Sequence, residues 1–267
     1  MLIRAISGAV FVSILVFSIL YSASSFIALF FVFMMISVFE FSKMLNIKGG
    51  EIYLLSSSLF LSTVFKEYDI ATIYTDALSI VIMLAVFVKN LFKTDTDVIK
   101  ELGNFLLCIL YSCISYIFII KIPFTNQAHS YEAILILGVF VLIWSSDTFA
   151  YLAGVSMGKT KLLERISPKK TIEGLVGGIV ATMLIAYLIS LEFTILLPYQ
   201  WIILAAFVSV FGVLGDLIAS MFKRQTGVKD TGKLIPGHGG IIDRLDSIIF
   251  AAPIIYLYLK FITENVS

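Results

Sequence analysis

Charge is scarce in this chain, and much of what there is crowds into a few short stretches. Only 14% of the 267 residues are Asp, Glu, Lys or Arg, against 60% hydrophobic. A soluble domain of this length would need a larger polar surface, so the composition excludes one and points to a polytopic membrane protein. The net charge of +1 gives no electrostatic reason to expect nucleic acid as a partner. Cys108 and Cys113 are the only 2 cysteines, which excludes a four-sulfur metal site; both read as packing or lipid-facing residues. Of the 2 histidines, His129 reads as an ordinary loop residue and His238 lies in a glycine-rich stretch. No internal repeat, linker or low-complexity tract is present. Arg4 precedes an apolar run without a convincing cleavage site, so the N-terminus reads as a retained first helix.

What the chain does have is long apolar runs. They predict nine transmembrane helices, near 5–21, 25–43, 52–65, 70–89, 103–121, 133–156, 174–193, 200–222 and 246–262. The third is short for a span. With the N-terminus inside, all of the 19 Lys and Arg residues except Lys66, Lys121 and Lys260 fall on the inner side. That asymmetry predicts a cytoplasmic N-terminus and brings the 157–173 and 223–245 loops to the same face. The expected class is all-α, integral to the cell membrane. Residues 1–132 are plain spans, read as scaffold, dimer or lipid contact. Residues 133–267 hold the intramembrane acids and Gly-rich loops, and are read as the catalytic part of one structural unit.

Three constellations stand out. Asp147, Tyr151, Gly154 and Gly158 recur at i, i+4, i+7 and i+11, one stripe of a helix with Trp144 a turn before it. An acid within a span needs a partner or a watery cavity, and the glycines permit close helix approach. A packing stripe with one hydrogen-bonded acid is the plain alternative. Next, Ser167 before Pro168 suits a helix N-cap followed by Pro at N1. Lys169, Lys170 and Thr171 would then lie in the first turn as an anion site, with Glu173 entering the span beside Gly174. An ordinary basic loop at the membrane edge is the plain alternative.

The third constellation runs from Asp216 to Asp246. Asp216, Ser220, Lys223 and Arg224 share one helix face, followed by a hydrophilic loop holding Lys229, Asp230 and Lys233. Pro236, Gly237, His238, Gly239 and Gly240 should bend sharply and expose backbone amides. Asp243, Arg244 and Asp246 open the last helix. Asp216 and Asp243, from different helices with Lys and Arg nearby, have the composition of a divalent-metal site beside a phosphate site. Ion pairs such as Arg244 with Asp216 are the alternative, and they leave the clustered glycines unexplained. His238 reads equally as ligand, base or structural residue. Glu40 and Asp76, with no motif around them, read as buried hydrogen-bonded or interface groups.

The run S-x-x-K-R-x4-K-D-x-G-x2-I-P-G-H-G-G-x2-D-R-x-D, from Ser220 to Asp246, resembles the signature of the CDP-diacylglycerol synthases, the phosphatidate cytidylyltransferases. The elements W-x-x-D-x-x-A-Y at Trp144–Tyr151 and S-P-K-K-T-x-E-G at Ser167–Gly174 resemble the same family. The resemblance covers the C-terminal half closely and the N-terminal half only as hydrophobic spans. It implies a dimeric helical membrane enzyme that takes CTP and phosphatidate and releases CDP-diacylglycerol and pyrophosphate. It also implies a requirement for Mg2+, with Asp216 and Asp243 as metal-binding acids and a monovalent cation such as K+ as a second ion. A CTP-dependent polyprenol kinase is the competing reading, because its nucleotide motif resembles part of this one. A CDP-alcohol phosphotransferase is disfavoured because D-x2-D-G-x2-A-R is absent. A transporter would spread its acids over both halves in related repeats.

Overall fold

The structure is a computed structural model that describes residues 2–68, 70, 72–93, 97–126, 128 and 130–265. It is helical except for one β-hairpin. The first half comprises α1 (Leu2–Tyr21), α2 (Ala23–Met44), α3 (Glu51–Glu67), α4 (Ile73–Leu91), α5 (Val98–Ile109) and α6 (Ser115–Lys121). The second comprises α7 (Ala133–Met157), strands β1 (Lys161–Leu163) and β2 (Ser167–Thr171), α8 (Ile172–Glu192), α9 (Pro198–Gln225) and α10 (Ile242–Asn265). One π-helical turn, Leu110–Ile114, joins α5 to α6 into a single apolar rod.

Among the described residues, 8 helices are long and apolar enough to cross a membrane. The third predicted span is present as α3 but has 17 residues. At about 1.5 Å per residue it reaches about 26 Å, short of a hydrocarbon core of about 30 Å. Helix boundaries follow local chemistry. Between α1 and α2 a single residue, Ser22, breaks the chain, and a reciprocal capping box with Ser25 restarts it (both bonds 3.1 Å). On α8, Val176, Val180, Leu184 and Leu188 recur every four residues and are all exposed, an apolar stripe suited to lipid.

The interior is aromatic. Phe26, Phe30, Phe140 and Tyr116 pack together between α2, α6 and α7, and Trp201 of α9 is fully buried against Gly138 of α7. Cys108 and Cys113 are free thiols packed in this core. Helices α7, α8, α9 and α10 form a second block in which α8 lies against both α7 and α9, and α10 lies along α9. Asp76 is hydrogen-bonded as expected, accepting from Thr72 at 2.8 Å, but it is not buried: its side chain is 42% exposed, beside Lys66 at 3.4 Å. Its first-turn position on α4 leaves it at the rim of the fold. His129 lies outside the described residues.

Candidate active site

The Gly-rich run forms a tight loop between α9 and α10. Gly237 and Gly239 have φ of +75° and +85°, where a side chain is strained, and the bonds Ile235 N–H to Gly239 O and His238 N–H to Ile235 O close the turn (both 2.9 Å). The loop folds around Asp243. Its Oδ2 accepts from the Thr231 amide (2.8 Å) and the Gly240 amide (2.9 Å), with the Thr231 hydroxyl oxygen 3.0 Å away. Its Oδ1 accepts from the Lys223 ammonium at 2.8 Å. The Asp243 side chain is only 5% exposed, so these bonds replace water.

Asp216 lies one turn before Ser220 on α9, and the Ser220 hydroxyl is 3.3 Å from its Oδ1. Its ionic partner is Lys170 at 2.5 Å, not Arg244. Asp246 lies within electrostatic reach of Asp216, Lys223 and Asp147. Gly215 makes this possible: a Cβ there would strike the Asp246 carbonyl and Phe250 of α10. Asp216, Asp243 and Asp246 all lie within electrostatic reach of Tyr111 on the π-turn, whose buried hydroxyl has no partner among the described residues.

The lysine segment corrects the predicted helix N-terminus. Ser167 caps nothing; Ser167–Thr171 is the strand β2, paired antiparallel with β1 in the register Lys161 with Thr171 and Leu163 with Ser167. The cap is Thr171, extended at φ −126° and ψ 156°, whose hydroxyl accepts from Gly174 N–H at 3.1 Å. In a two-stranded sheet every strand is an edge, so Pro168 fits the extended backbone without losing a needed N–H. Lys170 therefore turns in towards Asp216, rather than lying beside helix-terminal amides. Glu173 accepts from the backbone amides of Lys159 and Thr160 (3.0–3.1 Å), which ties the end of α7 to the start of α8.

Two cavities meet at Asp147. The first, about 550 Å³, lies between α7, α8, α9 and the hairpin, lined by Tyr151, Lys161, Lys169, Lys170 and Asp216. Its α7 and α8 walls touch because Gly154 and Gly174 carry no side chains; a Cβ on Gly174 would meet Ala150 O at 2.7 Å. The second, about 270 Å³, has an apolar wall from Phe11, Leu15, Phe140 and Trp144 and a polar end from His238, Asp243, Arg244 and Asp246. Asp147, Tyr151 and Gly154 of the expected stripe thus line a cavity, whereas Gly158 caps α7 in close packing against Thr171. Arg224 at the end of α9, and Lys229, Asp230 and Lys233 within the loop, are exposed.

Residues from the plain first half also reach the loop. The Ser7 hydroxyl is 2.9 Å from His238 Nδ1 and donates to Pro236 O at 2.9 Å. Arg4 packs over Gly237, and Glu40 of α2 bonds the loop from below. The only hint in the sequence was that Glu40 is an acid within an apolar run. His238 has its pKa lowered by desolvation first, then by Arg244 and Arg4, which favours the neutral ring.

Among the described residues no group of three or more His, Cys, Asp or Glu side chains is arranged to hold a metal ion. The donor set still suits a hard divalent cation that completes its shell with substrate. Magnesium uses one or two carboxylates plus phosphate oxygens. Asp216 is 33% exposed and faces an ammonium, Asp243 keeps Oδ1 towards another ammonium, and the unpartnered Tyr111 hydroxyl lies nearby.

The profile of the cytidylyltransferase family matches residues 2–262. Phosphatidate cytidylyltransferase of Bacillus subtilis (strain 168) is 36% identical over 267 aligned residues, covering 96% of this chain and 96% of that one. The phosphatidate cytidylyltransferase of Staphylococcus aureus (strain COL) is 48% identical over 126 residues, 46% of this chain and 48% of its own. That of Staphylococcus saprophyticus is 46% identical over 126 residues, with the same coverage of 46% and 48%.

Proposed function

This chain belongs to the cytidylyltransferase family, as a membrane-integral nucleotidyltransferase of the CDP-diacylglycerol synthase kind, and we propose that it converts CTP and phosphatidate to CDP-diacylglycerol and pyrophosphate at the loop between α9 and α10. The observation that carries this reading is the pairing of two carboxylates from different helices with two ammonium groups: Asp216 with Lys170, and Asp243 with Lys223. A site that neutralises its acids with lysines can exchange those partners for a cation and phosphates.

In the proposed step an oxygen of the lipid phosphate attacks the α-phosphorus of CTP. The new P–O bond forms as the α–β P–O bond breaks, and pyrophosphate leaves. A phosphate monoester is largely deprotonated near pH 7, so no side chain has to remove a proton. Lys170 and Lys223, released from their acids, bind and orient phosphate oxygens, with Lys169 and Lys161 on the same cavity wall. Arg244 and His238 line the polar end of the second cavity, and the exposed Arg224, Lys229 and Lys233 add basic groups for phosphate. Asp216 and Asp243 would hold Mg2+, with Asp246 and Asp147 alongside and a monovalent cation such as K+ as companion. Bound magnesium supplies neutralisation of the charge on the transferring group and on pyrophosphate.

The basic residues support a cytoplasmic N-terminus and a cytoplasmic site, where soluble CTP is found. The acyl tails stay in the bilayer, because each CH₂ pulled into water costs about 0.8 kcal/mol. The apolar wall of Phe11, Leu15, Phe140 and Trp144, which ends at the acids, suits such a sideways entry. A homodimer, with residues 1–132 supplying scaffold and lipid contact, completes the reading.

The test is purified protein in mixed micelles with α-labelled CTP and phosphatidate, with and without Mg2+. Label in lipid together with released pyrophosphate is expected, only with the metal. Release of CDP with an alcohol acceptor would replace this reading by the polyprenol kinase.

A further inference from the structure

Glu40 sits near the C-terminal end of α2, 4% exposed, far in sequence from every motif. Its carboxylate is spent entirely on the loop between α9 and α10. Oε1 accepts from the Ile241 amide at 3.0 Å. Oε2 accepts from the Ile242 amide at 3.1 Å and from the Thr231 hydroxyl at 2.9 Å. No basic side chain among the described residues forms an ion pair with it. Ile241 and Ile242 carry amides at the start of α10, donors that no turn of that helix can satisfy. Glu40 therefore caps α10 from another helix, and α10 is the element that carries Asp243 and Asp246.

Asp243 grips the same loop from the other side. Its Oδ2 holds the Thr231 amide and the Gly240 amide, and the Thr231 hydroxyl lies between the two acids, 2.9 Å from Glu40 Oε2 and 3.0 Å from Asp243 Oδ2. Two carboxylates thus clamp one loop at two points, residue 231 and residues 240–242. Two signature glycines are explained by this clamp. A Cβ on Gly232 or on Gly240 would run into the Glu40 carboxyl group. A residue in the plain half of the chain therefore dictates glycine in the chemical half.

We propose that Glu40 is a positioning residue of the transfer site: it fixes the 231–242 loop and the start of α10, so that Asp243 spends Oδ2 on the loop and presents Oδ1 to the cation side. This rests on the reading of Asp243 above. Glu40 touches no substrate in this arrangement and acts through Thr231 and the Gly240–Ile242 backbone. An intramembrane acid is costly unless satisfied, and three donors satisfy it here; what they organise is the acid-bearing helix end.

The test uses purified full-length protein with Glu40→Gln, Glu40→Asp, Thr231→Val and the Glu40→Gln/Thr231→Val pair. The first readout is hydrogen exchange over 229–242 without substrate. Gln turns an NH₂ towards one of the donors the carboxylate held, so faster exchange at 240–242 is expected, while α7 and α8 stay protected. The second is the Mg2+ concentration for half-maximal turnover. Partners that orient a metal-binding group are worth about 10- to 100-fold in metal affinity or activity, so E40Q should raise that concentration by this factor. Thr231→Val cuts only the hydroxyl link and should shift it less, and the pair should be non-additive. E40D, a carboxylate on a shorter arm, should recover part of the loss.

Unchanged exchange at 240–242 in E40Q would overturn the clamp, whatever the enzyme makes. Faster exchange with an unchanged Mg2+ requirement would overturn the positioning role and leave Glu40 as a simple helix cap. Should E40Q fail to fold, Thr231→Val decides by the same two readouts. A wild-type protein that makes no CDP-lipid would sink the functional reading alone, since the exchange measurement needs no turnover.

Discussion

The two polar segments at the site are held in opposite ways. The 226–241 loop is gripped from three helices: Asp243 of α10, Glu40 of α2 and Ser7 of α1 all bond it. The 161–171 hairpin has its own short ladder, one brace from Glu173 to the backbone at 159–160, and one ion pair from Lys170 to Asp216. One segment is built into the interior, and the other leans against it through a charge that substrate phosphate can take over. Preorganised groups are worth most where charge develops, whereas groups that bind and release a charged substrate need a partner they can leave. On this comparison, damage to the gripped segment should lower turnover, and damage to the leaning one should weaken binding.

The sharpest way to break the comparison is at the acids. Asp243→Asn keeps the shape but loses the charge held between Lys223 and the loop amides, and should lower turnover on the order of 10³-fold. Asp216→Asn should do the same. In both, insertion into the membrane and the far-ultraviolet helical signal are expected to persist. If Asp243→Asn retains near wild-type turnover, the loop is a scaffold and the chemistry lies elsewhere.

The hairpin supplies the contrasting case. Lys169→Ala with Lys170→Ala removes two of the basic groups on the wall of the larger cavity and frees Asp216 of its partner. The expected outcome is a rise in KM for CTP or phosphatidate of about 10- to 100-fold, the loss of one charge-assisted bond of about 1.5–3 kcal/mol. The kcat should fall much less. Steady-state kinetics at saturating lipid separate the two; a loss confined to kcat would place the hairpin with the gripped segment.

How much of this could be read beforehand depended on whether the signal was local. Span positions came from apolar runs, and the stripe Asp147–Tyr151–Gly154 followed from helical spacing alone. The start of α8 did not, because two start signals lie four residues apart. Ser167 with Pro168 and Thr171 with Gly174 both fit a helix entry, and pairing of Thr171 with Lys161 decided for the second. Glu40 was legible as a buried hydrogen-bonded acid, but its partners at 231, 241 and 242 lie about two hundred positions away. Tyr111 gave no signal at all: its place on a π-turn is a property of the backbone, and such turns recur at functional sites.

Tyr111 gives a finer test of the gripped side. Its ring is held by Phe41 and Phe222, at 4.9 and 5.2 Å between centroids, so Tyr111→Phe keeps the packing and removes only the hydroxyl near the three acids. A hydroxyl that bonds a hydrated ion or a substrate oxygen there is worth about 1 kcal/mol, or about fivefold in turnover. If Tyr111→Phe gains thermal stability and keeps full activity, the hydroxyl is merely a tolerated orphan.

The smallest expected effect concerns His238, which belongs to the gripped loop but sits at its surface. Burial and the two arginines, Arg244 and Arg4, lower its pKa, so the folded loop holds the neutral ring against Ser7. The sign follows from linkage. A cationic group whose folded pKa is lowered binds fewer protons folded than unfolded, so stability falls as pH drops below the unfolded value, about 6.5. The loss levels off once pH passes below the folded pKa. Activity and loop protection should therefore be flat above neutrality and decline on acidification through the histidine range. His238→Gln, which keeps a polar side chain but cannot take up that proton, should flatten the decline, with turnover at pH 8 changed only about threefold. Ser7→Ala removes the hydroxyl that bonds the ring and should shift the acid limb without altering the plateau. An acid limb identical in wild type and His238→Gln would assign the pH dependence to the acids, and would leave the α1 contact with no part in tuning the loop.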